Sequence, residues 1–154
     1  EAGRRAAAAF LEAVAGGTRP GPYRIVALPG GDAFTDSPVQ GVSLLSHASL
    51  RAVEAAVGQP LDVRRFRGNL WLDDLPAWEE FSWIGRAFDL GEARLRVVER
   101  IERCAATSTD PDTGRRDANL PLALRRTWGH ADFGVLAVVL RGGVVRPGDR
   151  LRPA

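Results

Sequence analysis

Between residues 3 and 15 an Ala-rich stretch carries Phe10, Leu11 and Val14 on one side, and Gly16-Gly17 supplies a stop, so the pattern predicts a helix. A linker, Thr18 to Pro22, follows. Tyr23–Leu28 then reads as a strand ended by Pro29-Gly30-Gly31, and Val39–Leu45 reads as another beyond a polar loop. Ser46 is placed to cap a helix over 46–57, whose apolar stripe is Leu50, Val53, Ala56 and Val57 and whose stop is Gly58. From Leu61 onward the period shortens. Asn69–Leu72, Arg86–Leu90, Ala93–Ile101 and Phe133–Leu140 are short apolar segments separated by Gly, Pro and Asp. In Ala93–Val97 apolar and charged residues alternate until Val98 breaks the phase, as a β-bulge would. Pro121–Trp128 fits a helix with an early proline, and Gly143, Pro147, Gly148 and Asp149 punctuate a closing ribbon. The expected fold class is mainly β (α+β): a barrel-like domain over 23–154 with helices near 3–15, 46–57 and 121–128 at its periphery.

Composition narrows the chemistry. A chain of 154 residues suits one ordinary core. It contains no Met, which is read as a start inside a longer polypeptide, with residues 1–22 as the helix and linker ending an upstream region. All 21 basic side chains are Arg, so no amine is available for a Schiff base, and covalent pyridoxal phosphate is not expected. A net charge of +2 with interspersed signs argues against a nucleic-acid partner. No apolar run approaches the roughly 18 to 20 residues of a membrane span, so no membrane partner and a cytoplasmic location are expected.

The single Cys, Cys104, excludes an internal disulfide and an all-Cys zinc site. Arg100 and Arg103 flank it, and neighbouring cations favour the thiolate that binds soft metals. A lone Cys also serves as a small buried hydrophobe, and that alternative stands beside the first. Arg65 and Arg67 are open to two readings, an anion clamp or ion pairs with Asp73 or Asp74. Asp73-Asp74 and Glu79-Glu80 read as a solvated loop, His47 as structural, and the four Trp as packing, with only Trp78 assigned a pocket role. His130 and Asp132 suggest a Cys/His pair only weakly, because such pairs are recognised by geometry.

Arg65-Phe66-Arg67-Gly68-Asn69 resembles the RFRxN segment of MOSC domains, the module found at the C-terminus of molybdenum-cofactor sulfurases and in amidoxime-reducing-component-like bacterial proteins. Arg103-Cys104-Ala105-Ala106-Thr107 with Asp110-Pro111-Asp112-Thr113-Gly114 is similar to their RCxxT…DPxTG segment. Ser43–Leu50, Phe133-Gly134-Val135 and Gly142–Asp149 follow in the family's order. The resemblance implies a β-barrel-like domain that binds the molybdenum cofactor, with Cys104 as catalytic residue and metal ligand. Arg67 and Asn69 would contact the pterin and phosphate, with Arg65, Arg103, Ser46 and Ser49 close to it. It implies an oxidoreductase acting on small N- or S-oxygenated substrates, with electrons from a flavoprotein or iron–sulfur partner. The alternative is a non-redox module that binds or carries the cofactor, or its sulfur, for a partner enzyme.

Overall fold

The computed structural model describes residues 1–18, 21–25 and 39–154. By its internal contacts the chain divides into two units, Glu1–Gln40 and Gly41–Ala154. In the first unit lies helix α1 (Ala2–Ala15), closed at Gly16 as expected. Of the strand expected over Tyr23–Leu28, Tyr23–Ile25 carry no strand. Residues 26–28 and the polar loop through Pro38 lie outside the described residues.

The second unit is a six-stranded sheet curled into a half-barrel, with helices packed beside it. Its strands are β1 (Val42–Ser46), β2 (Leu70–Leu72), β3 (Ala87–Leu90), β4 (Ala93–Glu102), β5 (Asp132–Arg141) and β6 (Leu151–Pro153), in the spatial order β2-β1-β5-β4-β3-β6. Only β1 and β2 are parallel. A parallel pair needs a crossover, and α2 (His47–Val57) with the 3-10 turn η1 (Val63–Phe66) supplies it. The ribbon expected over Gly143–Asp149 is instead a loop, and pairing resumes only at β6. Three glycines and Pro147 over 142–148 interrupt a regular ladder too often for it to form.

Helix ends follow the local chemistry. The Ser46 Oγ accepts hydrogen bonds from the backbone N–H groups of Ala48 (3.1 Å) and Ser49 (3.2 Å), and Gly58 ends α2 in the left-handed conformation. The last helix, α3 (Leu120–Trp128), is capped by the Asn119 side chain on the Leu122 N–H and stops at Gly129. Two further 3-10 turns are η2 (Glu79–Trp83) and η3 (Ala105–Ser108).

Adjacent residues of β1 feed two cores. Leu44 joins Trp83, Phe88, Leu90, Leu95, Val97, Val135 and Ala137 on one face of the sheet. Leu45 joins Leu50, Val53, Leu61, Phe66, Leu120, Leu124 and Phe133 on the helical side. Phe133 and Val135 would share a face in a regular strand, yet they belong to different cores. The cause is a bulge. Between the pairs Arg100↔Val135 and Glu102↔Asp132, β5 advances one residue more than β4, and Gly134 within that step has φ +76°. The extra residue turns Phe133 toward the helices. A second register shift, between Val97 and Glu99, makes Val98 the extra residue on β4, the bulge its broken alternation suggests.

Candidate cofactor site

The RFRGN segment leaves η1 in a tight turn. Arg67 caps η1 with φ +50°, a left-handed conformation that costs a non-glycine residue on the order of 1 to 2 kcal/mol. Its side chain is exposed and makes no hydrogen bond or ion pair among the described residues. Gly68 allows the turn to lie close to the sheet, since a Cβ there would come within 2.8 Å of Leu45 and 2.9 Å of the Trp71 indole nitrogen. Asn69 is then held by Ser43. Its Oδ1 accepts from both the Ser43 N–H and the Ser43 hydroxyl at 2.9 Å, and its own N–H donates to the Ser43 Oγ at 2.9 Å. With Oδ1 occupied, the amide NH2 is the part of Asn69 left to face a ligand. Ser43 was not singled out from sequence; the signal is the parallel register Leu44↔Leu70, which sets residue 43 beside residue 69.

Arg103 links this turn to the bulge on β5. Its Nη1 donates to the Phe66 carbonyl (2.9 Å) and its Nε to the Phe133 carbonyl (2.8 Å), with the guanidinium 5.8 Å from the centre of each of those rings. The Nη2 is buried and has no hydrogen-bond partner among the described residues. No carboxylate among the described residues pairs with it. Burial accordingly pulls the Arg103 pKa down to about 10, and negative charge on the Cys104 sulfur opposes that shift. Cys104 itself is exposed and its thiol caps nothing, so the alternative of a buried hydrophobe does not hold. Because Arg103 bonds the carbonyl preceding Arg67, the Cys104 and Arg67–Asn69 segments flank one guanidinium.

The remaining residues named from sequence face inward. Arg65 is fully embedded, with its side chain 3% exposed, and its carboxylate partners are Asp117 and Asp110 rather than Asp73 or Asp74. Ser46 and Ser49 have no exposed surface. Besides the cap on Ser46, the Ser49 Oγ accepts from the Trp78 N–H (2.8 Å) and donates to Glu80 Oε1 (2.8 Å). The solvated reading of Glu79-Glu80 is therefore corrected at one residue. Glu80 is wholly buried, because the three-residue period of η2 turns Glu80 and Trp83 inward together, and burial raises its pKa while Ser49 opposes the shift. Trp78 packs against Trp128 (4.7 Å), Phe81 (5.5 Å) and Phe133 (6.1 Å), a core role. His47 stacks on Trp71 (5.0 Å) with Nδ1 at 2.9 Å from Asp73, and His130 lies against Phe81 and Trp78, its Nδ1 accepting from the Asp132 N–H.

A cavity of about 350 Å3 opens from Ala105, the residue after Cys104, and is walled by Ser108, Arg116, Asp117, Ala118 and Asn119. No three His, Cys, Asp or Glu side chains among the described residues come together as a metal site. A metal at Cys104 would thus take most of its ligands from a non-protein group.

The MOSC domain pattern matches residues 31–152. The chain belongs to the MOSC domain family. It is similar to mitochondrial amidoxime reducing component 2 of Bos taurus (27% identity over 120 residues, 70% of this chain and 35% of that protein). It is also similar to mitochondrial amidoxime-reducing component 1 of Xenopus laevis (28% identity, 70% and 34%) and of Homo sapiens (26%, 69% and 34%). This MOSC chain spans about a third of the length of the curated relatives it matches. In structure it resembles YiiM from Geobacillus stearothermophilus, with a TM-score of 0.58 and 23% identity over 73% of this chain and 53% of that one, a likeness of fold. No helix among the described residues is long and apolar enough to cross a membrane.

Proposed function

We propose that this MOSC domain holds a molybdenum cofactor and serves in an oxidoreductase that reduces small N- or S-oxygenated substrates. The observation that carries the reading is the juxtaposition in sequence of an exposed Cys104 thiol with the buried guanidinium of Arg103, which has no carboxylate partner among the described residues. Family membership and similarity to amidoxime-reducing components support it. The donor set suits an anionic group with a soft metal at one end: a thiolate for the metal, an unpaired arginine for a phosphate, and a free amide NH2 for a polar ring edge.

In this reading Cys104 supplies the protein ligand and Arg67 clamps the phosphate with its two-pronged donor face. Asn69, fixed by Ser43, aligns the ring. Arg103 contributes positive charge from beneath, and Ser46 and Ser49 keep the first turn of α2 in place behind the site. When bound, the cofactor supplies oxygen-atom transfer, with electrons delivered by a flavoprotein or iron–sulfur partner. The cavity beginning at Ala105 falls in the usual size range of small-molecule pockets and is the proposed approach for substrate.

The test is Cys104→Ala in protein made by a host competent for cofactor synthesis. Wild type is expected to contain molybdenum and to reduce an amidoxime or hydroxylamine with a chemical electron donor, and the variant is expected to lose that reduction. Because Cys104 is exposed, the stability cost should stay within about 1 kcal/mol. An unchanged rate in molybdenum-containing variant overturns the ligand role. A metal-free wild type whose Cys104 accepts sulfur from a desulfurase supports carriage of sulfur instead.

A further inference from the structure

We propose that Arg65 is a positioning residue, which fixes Arg67 and Asn69 relative to Cys104 by clasping the loop beyond Cys104 from beneath. The inference rests on the cofactor-holding reading above but concerns how this chain assembles the site.

Arg65 donates from Nη1 and Nη2 to the two oxygens of Asp117 (2.7 and 2.6 Å) and from Nη2 to Asp110 Oδ2 (3.3 Å). Those two carboxylates stand at either end of the segment 110–117. Asp110 divides its oxygens. Oδ1 builds the DPDTG turn, accepting from Asp112 N–H (3.1 Å), Thr113 N–H (2.7 Å) and the Thr113 hydroxyl (2.8 Å), and this leaves Oδ2 for Arg65. The Asp117 N–H bonds the Ser108 carbonyl at the end of η3, so holding Asp117 also holds η3. One guanidinium thereby fixes both ends of the loop that follows Cys104. From the other direction Arg103, the residue before Cys104, bonds the Phe66 carbonyl (2.9 Å). Cys104 lies between two straps that both end on η1, and η1 runs directly into Arg67.

Stability alone does not account for such a clasp. An ion pair buried at its arginine end contributes little beyond what a well-packed apolar group of the same size would, because the guanidinium is desolvated. What a fork-to-carboxylate pair adds is direction, since the planar guanidinium permits one orientation of its partner. A second strap exists on the surface, where Arg64 Nη2 reaches Asp112 at 2.8 Å, but its exposed ends are free to rearrange.

Arg65→Lys keeps the charge and removes the fork. Hydrogen exchange by mass spectrometry on the full chain should show residues 66–69 and 103–108 exchanging at least fivefold faster, with the β3–β4 hairpin unchanged. Leu95→Ala, in the opposite core, is the control and should loosen that hairpin instead. Exchange confined to residues 110–117, or spread evenly over the domain as global destabilisation would spread it, overturns the proposal. In cofactor-loaded protein, Arg65→Lys should lower molybdenum retained after gel filtration at least fivefold, and Arg65→Lys with Arg67→Ala should retain no less than Arg67→Ala alone. Additive losses would mean that Arg65 contacts the cofactor directly, against the proposal. If Arg65→Lys does not fold, Asp117→Asn removes the bidentate partner and must give the same exchange pattern. A wild type that binds no molybdenum defeats the cofactor reading, while the exchange result still decides the clasp.

Discussion

Leu44 and Leu45 are neighbours on β1, both wholly buried, yet they lead into cores with different surroundings. Around the Leu44 core the charges at the periphery are paired. Arg94 makes two hydrogen bonds to Asp89 (2.7 and 2.8 Å), Arg141 approaches the same carboxylate at 3.6 Å, and Gly91 turns the hairpin at φ +56°. Around the Leu45 core the periphery is strained and open. Among the described residues, those other than glycine with positive φ are Arg67, Asp74 and Trp78, all in one short stretch, and the buried polar atoms without a partner belong to Arg65, Glu80 and Arg103. Misfits of this kind cost free energy, and they gather where the site residues are. The β3–β4 half serves as scaffold, and the η1–η3 half spends part of that stability on holding charges ready.

The largest effect separating the two halves should come from truncating the adjacent leucines. Leu44→Ala and Leu45→Ala each empty a fully buried position and should each lower unfolding free energy by about 2 to 5 kcal/mol in denaturant titrations. The difference lies in the site. Leu45 is the side chain on which Gly68 rests, so Leu45→Ala should also release molybdenum from loaded protein, while Leu44→Ala at matched stability should retain it. Equal losses of metal in both variants would erase the distinction between scaffold and site.

A smaller effect should appear at Glu80. Burial raises its pKa, so the folded state holds the proton more tightly than the unfolded chain. The stability it contributes is full below its ordinary value of 4.5 and is lost as pH rises through the raised folded value. Glu80→Gln cannot ionise and keeps an oxygen for the Ser49 hydroxyl. Unfolding free energy followed upward from pH 4 should therefore fall less in Glu80→Gln than in wild type. At neutral pH the variant should be the more stable by on the order of 1 kcal/mol, the scale of one mismatched hydrogen bond. A variant that is less stable at every pH would mean that the carboxylate is ionised and matched in the fold.

The helices and the places along the chain of strands β2 to β5 were legible because each rests on local chemistry. Ser46 and Gly58 bracket α2, Asn119 and Gly129 bracket α3, and Val98 announces its bulge by breaking an alternation. What escaped depends on contacts distant in sequence. The Glu79-Glu80 pair looks uniformly solvated until η2 turns one of the two inward onto Ser49, which lies 31 residues away. The link of Arg65 to Asp117 spans 52 residues and that of Asn69 to Ser43 spans 26, and no spacing along the chain specifies either. Phe133-Gly134-Val135 was visible as a string, but the reversal of Phe133 needs the pairing of β4 with β5 to be known.

The smallest effect should come from Asp89, on the scaffold side, and its small size is what makes it informative. Hydrogen bonding from Arg94 holds the Asp89 carboxyl below its ordinary range, so its contribution is present above that range and is lost as pH falls through the lowered value. The pair is substantially exposed, however, and water and salt screen it. Asp89→Asn should accordingly give a slight decrease in Tm at low ionic strength that disappears in concentrated salt, with cofactor retention unchanged. The Arg65 clasp has the same chemical composition, arginine on aspartate, but is sealed from solvent at its arginine end, so salt should not reproduce the effect of Arg65→Lys. A salt titration that mimicked both substitutions alike would show that the two pairs differ only in place and not in kind, and the contrast between the halves of the sheet would then rest on packing alone.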